Sequence, residues 1–288
     1  MPVHDNLGMR MKNNYESIPK ARLMRRTPVA IRIDGKAFHT FTKGFEKPFD
    51  MVLIKSMQQT MKYLCENIQG CVFGYCQSDE ITLILVDYQT LTTDAWFDYE
   101  VQKMCSISAS MATMAFNKFF AENVDDYIKK ERRFIKWDGV SKEEYIKTLL
   151  KAVEKGAMFD ARCFNIPKEE VTNLIYWRQL DAPRNSIQMV GQANFSHKEL
   201  QNKSCNMIQD MLHEQKGINW NDFPTVCKRG TACIKRYEEE GHCVVDCCGK
   251  PTGFVIDKVN SKWILDTEMP ILKGEDRKYV DDLVYIGE

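Results

Sequence analysis

The sequence predicts an α+β fold in which an antiparallel, ferredoxin-like sheet packs on helices. Segments with strand and helix patterns follow one another in the order strand, helix, strand, strand, helix, strand, with one additional helix before the last strand, which is typical of this fold. A short polar turn separates the second and third strands, as in a hairpin. Apolar residues make up 44% and charged residues of both signs 28% of the 288 residues, which excludes a disordered chain and leaves enough residues for a large core.

The first strand, helix and hairpin come from the N-terminal third of the chain. Residues 28–33 alternate in polarity and are rich in β-branched side chains, which predicts a strand that ends at Asp34-Gly35. Asp50 is predicted to cap a helix that runs to about residue 67, because apolar residues recur there at helical spacing. Residues 71–76 and 81–86 are predicted strands around the polar turn of the hairpin.

The next elements complete the sheet. Residues 99–120 predict a long helix with small side chains on its packing faces, and residues 161–166 predict a fourth strand. Pro167 suits the first turn of a helix, which we expect to run to about Leu180.

The remaining segments predict further helices and a smaller C-terminal part. Two capping-box patterns mark helix starts, namely Ser141 with Glu144 and Ser196 with Glu199. Residues 225–237 and 253–265 are expected to be strands of this basic C-terminal part.

Charge is balanced in total and clustered locally. Forty Lys and Arg match forty Asp and Glu, so the formal net charge is zero, which excludes a uniformly basic binder of nucleic acid. Basic residues nevertheless gather in three clusters: Lys20, Arg22, Arg25 and Arg26; Lys129, Lys130, Arg132, Arg133 and Lys136; and Lys228, Arg229, Lys235 and Arg236. Because phosphate responds to the local field, an RNA partner of modest, salt-sensitive affinity is compatible with this charge.

The expected cellular compartment depends on two features that are missing from the sequence, a long apolar run and a secretory signal. No run of about 18 apolar residues occurs, and the N-terminal segment is polar and basic, so we expect neither a membrane span nor a secretory signal but a cytoplasmic protein. The 11 cysteines are expected to be reduced. A zinc site in the group Cys227, Cys233, His242, Cys243, Cys247 and Cys248 is a minor alternative, because no C-x2-C pair occurs there.

Two carboxylates are the strongest candidates for chemistry. Asp34 ends the first predicted strand and Asp79 lies in the hairpin turn, and these elements are central neighbours in a ferredoxin-like sheet. Two carboxylates with the backbone carbonyl of Gly35 suit Mg²⁺, and such a pair can hold two ions for in-line phosphoryl transfer. Asp-Gly and Ser-Asp-Glu are also common turns, so an ordinary turn at each position is the alternative.

Cations around these carboxylates favour a phosphate ligand. A triphosphate needs several positive groups besides the metal. The candidates on neighbouring segments are Arg32, Lys36, Lys43, Lys47, Lys103, Arg162 and Arg178, each of which is otherwise interpreted as solvated surface.

An ordered set of motifs resembles the histidine-tRNA guanylyltransferase family. The motifs are Arg32-Ile33-Asp34-Gly35-Lys36-Ala37-Phe38-His39-Thr40-Phe41, Phe45-Glu46-Lys47-Pro48, Gly74-Tyr75-Cys76-Gln77-Ser78-Asp79-Glu80, Phe159-Asp160-Ala161-Arg162, Tyr176-Trp177-Arg178-Gln179 and Lys228-Arg229-Gly230-Thr231. Each motif alone is weak, but their order over residues 30–235 is specific. The resemblance implies a polymerase-palm core at 1–190, with a C-terminal extension at 191–288 that packs on it and contributes to tRNA binding.

The resemblance also implies roles for individual residues. Asp34, Asp79 and the Gly35 carbonyl would bind two Mg²⁺ ions, Glu80 would be a neighbouring essential acid, and Ser78 and Lys47 would serve 5′ activation. Nucleotide or phosphate contacts would come from Arg32, Lys36, Ala37, Phe38, His39, Lys103, Arg162, Arg178 and Asn185, and tRNA contacts from Lys228 and Arg229. ATP and GTP or other nucleoside triphosphates would be substrates, and the assembly a homotetramer.

One segment departs from the eukaryotic members of the family. These carry His-Ile-Asn-Asn-Leu-Tyr-Asn where this chain has Pro183-Arg184-Asn185-Ser186-Ile187-Gln188-Met189, so only Asn185 coincides. The departure favours the guanylyltransferase-like proteins, which resemble templated repair enzymes that restore missing 5′ nucleotides of tRNA in the 3′→5′ direction. The alternatives are untemplated guanylyl addition to histidine tRNA, a palm-fold nucleotide cyclase and a non-catalytic RNA-binding protein.

Overall fold

The computed structural model describes residues 6–138, 142–245 and 251–286, with side chains described outside 132–138, 239–245 and 251–259. Its strands are β1 Val29–Gly35, β2 Cys71–Gln77, β3 Glu80–Leu85, β4 Phe159–Asn165, β5 Thr231–Val245 and β6 Pro251–Asp266. Its α-helices are α1 Asn6–Met11, α2 Phe38–Phe41, α3 Met51–Asn67, α4 Val101–Asp138, α5 Glu143–Lys155, α6 Lys168–Asn194, α7 His197–Leu200, α8 Cys205–Lys216, α9 Thr225–Arg229 and α10 Lys278–Val284. Single turns of 3-10 or π type occupy Lys12–Glu16, Trp96–Tyr99, Trp220–Asp222 and Gly274–Arg277.

The strands form one six-stranded sheet in the order β4-β1-β3-β2-β5-β6, and every neighbouring pair is antiparallel. The first four positions are the arrangement of a ferredoxin-like sheet, so the predicted fold class is confirmed. β5 pairs with β2 and β6 with β5, which continues the same sheet into the C-terminal part. The predicted division at residue 190, which falls inside α6, stays a prediction.

Helices cover both faces of the sheet. On one face α3 and α4 pack on alternate residues of β1 and β3, including Ile31, Ile33 and Leu83. On the other face α6 and α10 pack on Ala30 and Ile84, which are residues of opposite parity. The even-numbered side chains of β1 therefore point to the α6 face, and Arg32 and Asp34 follow Ala30 there.

An aromatic cluster anchors the segment that leaves β1. Phe38, Phe41 and Phe45 pack with Phe116 and Phe120 of α4, with ring centroids 5.1 to 5.9 Å apart. Such ring pairs contribute roughly 0.5–1.5 kcal/mol each beyond the area they bury. The cluster fixes the path of the chain between the end of β1 and the start of α3.

Two predicted helices are too short. The helix expected over 99–120 continues to residue 138, and the one expected to stop at Leu180 continues to Asn194 with Pro183 inside it. Proline in a helix costs about 3 kcal/mol. Tertiary contacts offset that cost: Ala182, Ile187 and Val190 are buried, and Gln179 bonds the backbone of Pro270 and Leu272 at 2.7 and 2.9 Å.

Other boundaries also differ from the prediction. Residues 225–229 form helix α9 and not the start of a strand, because Gly230, at φ 81°, breaks the chain direction before β5. The capping boxes differ in outcome: Ser196 with Glu199 is confirmed, whereas Ser141 lies outside the described residues. Asp50 caps α3 as predicted, and Pro167 immediately precedes α6. None of the helices in the described ranges is long and apolar enough to cross a membrane.

Candidate active site

Asp34 and Asp79 meet where β1 ends against the hairpin. Asp34 lies opposite Glu80 of β3 and opposite Asp160 of β4 in the strand register. The backbone N–H of Gly35 donates to the carbonyl of Asp79 at 3.1 Å, which docks the hairpin turn on the end of β1. Ser78 takes a left-handed backbone conformation at φ 53°, and its hydroxyl donates to Asp79 Oδ1 at 3.0 Å.

The two carboxylates have no cation in direct contact among the described side chains, although the charge of Arg162 acts on Asp34. Burial raises the pKa of Asp79, the charges of Asp34 and Glu80 raise it further, and hydrogen bonds from its own backbone and from Ser78 oppose the rise. Within the described part of the chain, neither Asp34 nor Asp79 forms an ion pair with Lys, Arg or His. Two adjacent carboxylates of this kind fit a hard divalent cation such as Mg²⁺.

Glu80 differs from its neighbour because two arginines hold it. Its carboxylate pairs with Arg32 at 2.5 Å and with Arg178 of α6 at 2.7 Å, and its exposed fraction is only 9%. Both guanidinium groups also lie over the ring of Trp177, at 5.5 and 4.6 Å from its centroid. The structure thus brings Arg32 and Arg178 to the predicted site, where they neutralise Glu80 and tie α6 to the sheet.

A cavity of about 490 Å³ opens beside Asp79. Its lining joins the end of β1, the 37–50 segment, the hairpin turn and α6, and it includes Gly35, Ala37, Phe38, His39, Lys47, Ser78 and Asp79 among the predicted residues. Sequence reasoning missed Met189 in this lining and assigned Asp50 only a capping role. A smaller cavity of about 80 Å³ shares Asp50, Ser78 and Met189 with it and contains Asn185.

Gly35 is required for this geometry. A Cβ at residue 35 would lie 2.1 Å from the ring of Phe38, which packs directly over the glycine. Ala37 then takes a left-handed conformation at φ 53° and starts α2. The backbone therefore turns sharply beside Asp79, and the chain lines the cavity immediately after Asp34.

The remaining predicted cations are placed differently. Lys36 is exposed at the end of β1, and Arg162 on β4 pairs with Asp160 at 3.0 Å. Lys228 donates to the carbonyl of Asn221 at 2.5 Å and lies over Trp220, while the carbonyl of Arg229 accepts a bond from Tyr75 at 2.7 Å.

Lys103 is not brought to the carboxylates. Lys103 lies in the first turn of α4, where the carbonyl of Val101 accepts a hydrogen bond from the thiol of Cys163. Farther along α4, the hydroxyl of Thr113 accepts a hydrogen bond from the backbone N–H of Phe159, which is the register partner of Gly35. Lys103 follows two residues after Val101, and its ammonium group lies over the ring of Phe97, 5.8 Å from the centroid.

Only part of the cysteine group is described. Cys227 and Cys233 are free thiols. Cys247 and Cys248 lie outside the described residues, as do the side chains of His242 and Cys243. Across the described ranges, no group of three or more His, Cys, Asp and Glu side chains is arranged to hold a metal.

A ferredoxin-like sheet with two neighbouring carboxylates at the ends of its central strands and a cavity beside them is the arrangement expected of a palm-type nucleotidyltransferase core. A family model described as tRNAHis guanylyltransferase matches residues 9–167, more than half of the chain. The protein therefore belongs to the tRNAHis guanylyltransferase family, as its motifs indicated, and is a nucleotidyltransferase of that family.

Relatives agree with this assignment. A bacterial tRNA(His) guanylyltransferase-like protein in complex with ATP is 38% identical, with a TM-score of 0.75 over 97% of this chain and 100% of that one. The complex of such a protein with GTP has the same identity and a TM-score of 0.70 over 98% and 100% of the two chains. The tRNA(His) guanylyltransferase of Saccharomyces cerevisiae is 27% identical over 224 residues, which cover 73% of this chain and 83% of the yeast protein.

Proposed function

We propose that the protein adds nucleotides to the 5′ end of tRNA in the 3′→5′ direction, templated by the opposite strand of the acceptor stem. The observation that carries the proposal is the cavity in which Lys47 and Ser78 adjoin Asp79. A triphosphate needs positive charge and hydrogen-bond donors around one space, and this cavity brings together the ammonium group of Lys47, the hydroxyl of Ser78 and the carboxylate of Asp79, a proposed metal ligand.

Two features support templated repair over untemplated addition to histidine tRNA. The chain aligns at 38% identity over nearly its whole length with a bacterial guanylyltransferase-like protein, compared with 27% over 224 residues for the yeast guanylyltransferase. The segment that departs from the eukaryotic motif, residues 183–189, lies inside α6, and Asn185 and Met189 of that segment line the cavities.

The metal and the side chains would divide the work. Asp34, Asp79 and the carbonyl of Gly35 would hold two Mg²⁺ ions, which supply positive charge for the triphosphate and acidify the attacking hydroxyl when bound. Lys47 would bind and orient the phosphates of ATP, and the Ser78 hydroxyl would donate to Asp79 and keep its carboxylate in place. Glu80 would position Arg32 and Arg178 and would not bind the ions itself.

The reaction would proceed in two transfers. First, an oxygen of the tRNA 5′-monophosphate attacks the α-phosphate of ATP, and pyrophosphate leaves. Next, the 3′-hydroxyl of a paired nucleoside triphosphate loses its proton and attacks the activated 5′-phosphate, and AMP leaves. The new 5′ end carries a triphosphate, and removal of pyrophosphate from it permits another round. Catalysis is mainly positioning and charge neutralisation.

The proposal also includes contacts to tRNA outside the cavity. Arg162, Lys228, Arg229 and Lys103 would contact tRNA phosphates. A homotetramer in the cytoplasm, with the C-terminal part contributing to tRNA binding, completes it.

One incubation tests the proposal. A tRNA shortened by one 5′ nucleotide and carrying a 5′-monophosphate is supplied with Mg²⁺, ATP and each nucleoside triphosphate in turn, and the products are resolved on a gel. We expect addition only of the nucleotide complementary to the opposite strand, and no addition to the full-length tRNA. Addition of G regardless of the opposite base would instead identify the untemplated guanylyltransferase.

Two further outcomes would reject the proposal. Cyclic nucleotide formed without RNA would identify a cyclase. RNA binding without any Mg²⁺-dependent product would identify a binding protein.

A further inference from the structure

Helix α5 reaches the segment that carries Lys47 through four side chains, Glu46, Asp50, Lys142 and Tyr145, which we call the Asp50 network. Glu46 and Asp50 flank Lys47 in sequence, and all three residues line the 490 Å³ cavity. Lys142 and Tyr145 belong to the start of α5, which does not line this cavity.

Asp50 is the centre of the network. It is 5% exposed, and its carboxylate accepts three hydrogen bonds: from the backbone N–H of Leu53 at 2.9 Å, from the backbone N–H of Glu46 at 3.1 Å and from the phenol of Tyr145 at 2.6 Å. The first bond caps α3, and the second closes the segment around Lys47. The third comes from another helix and joins the closed segment to it.

A second link runs parallel to the first. The ammonium group of Lys142 pairs with Glu46 at 3.1 Å and lies over the ring of Tyr127, and the rings of Tyr127 and Tyr145 meet edge to face at 5.3 Å. The segment is thus tied to α5 on both sides of Lys47. Burial and the bond to Asp50 raise the pKa of Tyr145, so the phenol keeps its proton and remains a donor.

We propose that Tyr145 is a positioning residue for the 5′-activation step, because it holds Asp50 and thereby fixes Lys47 toward the phosphates of ATP. Lys47 itself is exposed and its side chain is long, so ordering its backbone in advance reduces the entropy lost when ATP binds. Tyr145 touches neither substrate nor metal in this role. The inference rests on the proposed function of Lys47.

The test compares Tyr145→Phe, Lys47→Ala and the double variant in single-turnover adenylylation of a 5′-monophosphorylated tRNA. Loss of a hydrogen bond to a buried carboxylate is expected to slow adenylylation about ten-fold, through a weaker apparent affinity for ATP. Addition to a tRNA that already carries a 5′-triphosphate needs no adenylylation and should change less than two-fold.

The double variant distinguishes positioning from general damage. If Tyr145 acts through Lys47, adding Tyr145→Phe to Lys47→Ala causes no further loss, whereas independent effects would multiply. Multiplying effects, or an equal loss on both tRNA substrates, would overturn the positioning role. Lys47→Ala with normal adenylylation would overturn the proposed role of Lys47, whereas a parent protein that forms no adenylylated tRNA would overturn the proposed function.

Two more variants complete the design. Tyr237→Phe removes the same hydroxyl from an exposed tyrosine of β5 and should leave both reactions unchanged. Lys142→Gln breaks the second link without touching the buried carboxylate and should weaken adenylylation selectively, though by less than Tyr145→Phe. If Tyr145→Phe lowers the Tm so far that it unfolds at the assay temperature, Lys142→Gln in the same two assays decides the question.

Discussion

The aspartates at the two ends of strand β3 differ in their partners: Asp87 is paired with an arginine, and Asp79 has no ion-pair partner in the part of the chain that the structure describes. Asp79 precedes the strand and Asp87 follows it, roughly 26 Å away at the usual rise of an extended chain. Asp87 is 1% exposed and accepts bonds from the side chain of Arg25 at 2.6 Å and the backbone of Arg26 at 2.9 Å. Asp79 has no ion-pair partner among the described side chains, and its pKa is raised.

This difference separates a structural carboxylate from a functional one. Removing a buried charge that is paired and hydrogen-bonded destabilises the fold, because its partners are left unpaired, whereas a charge left beside another carboxylate costs stability until a cation binds. Asp79 and its neighbour Glu80 show the same contrast side by side, since Arg32 and Arg178 neutralise Glu80 but not Asp79. Paired and unpaired carboxylates at the ends of one strand should therefore respond oppositely to substitution.

The largest expected effect is on activity. Asp34→Ala or Asp79→Ala should lower nucleotide addition about a thousand-fold or more, because each variant removes a proposed ligand of the metal that would neutralise the triphosphate. The rate is measured by single-turnover addition to a shortened tRNA, with circular dichroism to confirm the fold. Asp87→Ala, assayed in its folded state, should retain addition. Normal addition by either variant of Asp34 or Asp79 would break the comparison.

The second effect is on stability. Asp87→Ala should lower the free energy of unfolding by about 2 kcal/mol, because the Nε of Arg25 and the backbone N–H of Arg26 lose their acceptor. Urea denaturation measures the loss. Asp94→Ala, at an exposed position close by, is the control and should change stability by less than about 0.5 kcal/mol. Equal stabilities of the two variants would show that the Arg25 pair contributes nothing.

The third effect is selective. Lys47→Ala should slow reaction of a monophosphorylated tRNA about ten-fold, the usual scale for one charge-assisted contact, and slow a triphosphorylated tRNA less. Parallel time courses on the two substrates give the ratio. A ratio of one would remove Lys47 from the activation step.

The smallest expected effect is a change in thermal stability that tests whether the charge of Asp79 destabilises the fold. Because the folded state raises the pKa of Asp79 above its unfolded value, ionised Asp79 costs stability at neutral pH, and this cost is relieved as the pH falls through the raised pKa. With metal removed by chelator, Asp79→Asn should therefore slightly raise the Tm at pH 7, and the gain should shrink toward pH 4. A variant that is less stable than the parent at pH 7 would contradict the uncompensated charge.

The sequence predicted the site through local signals. Asp34 follows an alternating strand and Asp79 sits in a polar turn, so their convergence followed from the sheet order, which the structure confirms. The partners of the arginines could not be predicted, because the bonds of Glu80 to Arg32 and Arg178 join residues 48 and 98 positions apart.

Long-range packing also explains why helix α6 is longer than the sequence predicted. A proline at residue 183 normally ends a helix, yet α6 continues because Gln179 and buried apolar residues hold both halves against the fold. The site residue Asp50 was predicted only as a helix cap, since its bond to Tyr145 spans 95 residues. The position of Lys103 over Phe97 could not be predicted, because residue spacing does not show where along the sheet the first turn of α4 packs.

The pairing of β5 with β2 has a consequence for the order in which the chain folds. Phe73 and Ile234 are partners separated by about 160 residues, so this contact closes late and slowly. During synthesis the hairpin that bears Asp79 is complete long before β5 emerges from the ribosome, and until then β2, with its buried Val72, Phe73 and Tyr75, presents an unpaired apolar edge. Chains that end before residue 231 are therefore expected to aggregate through that edge.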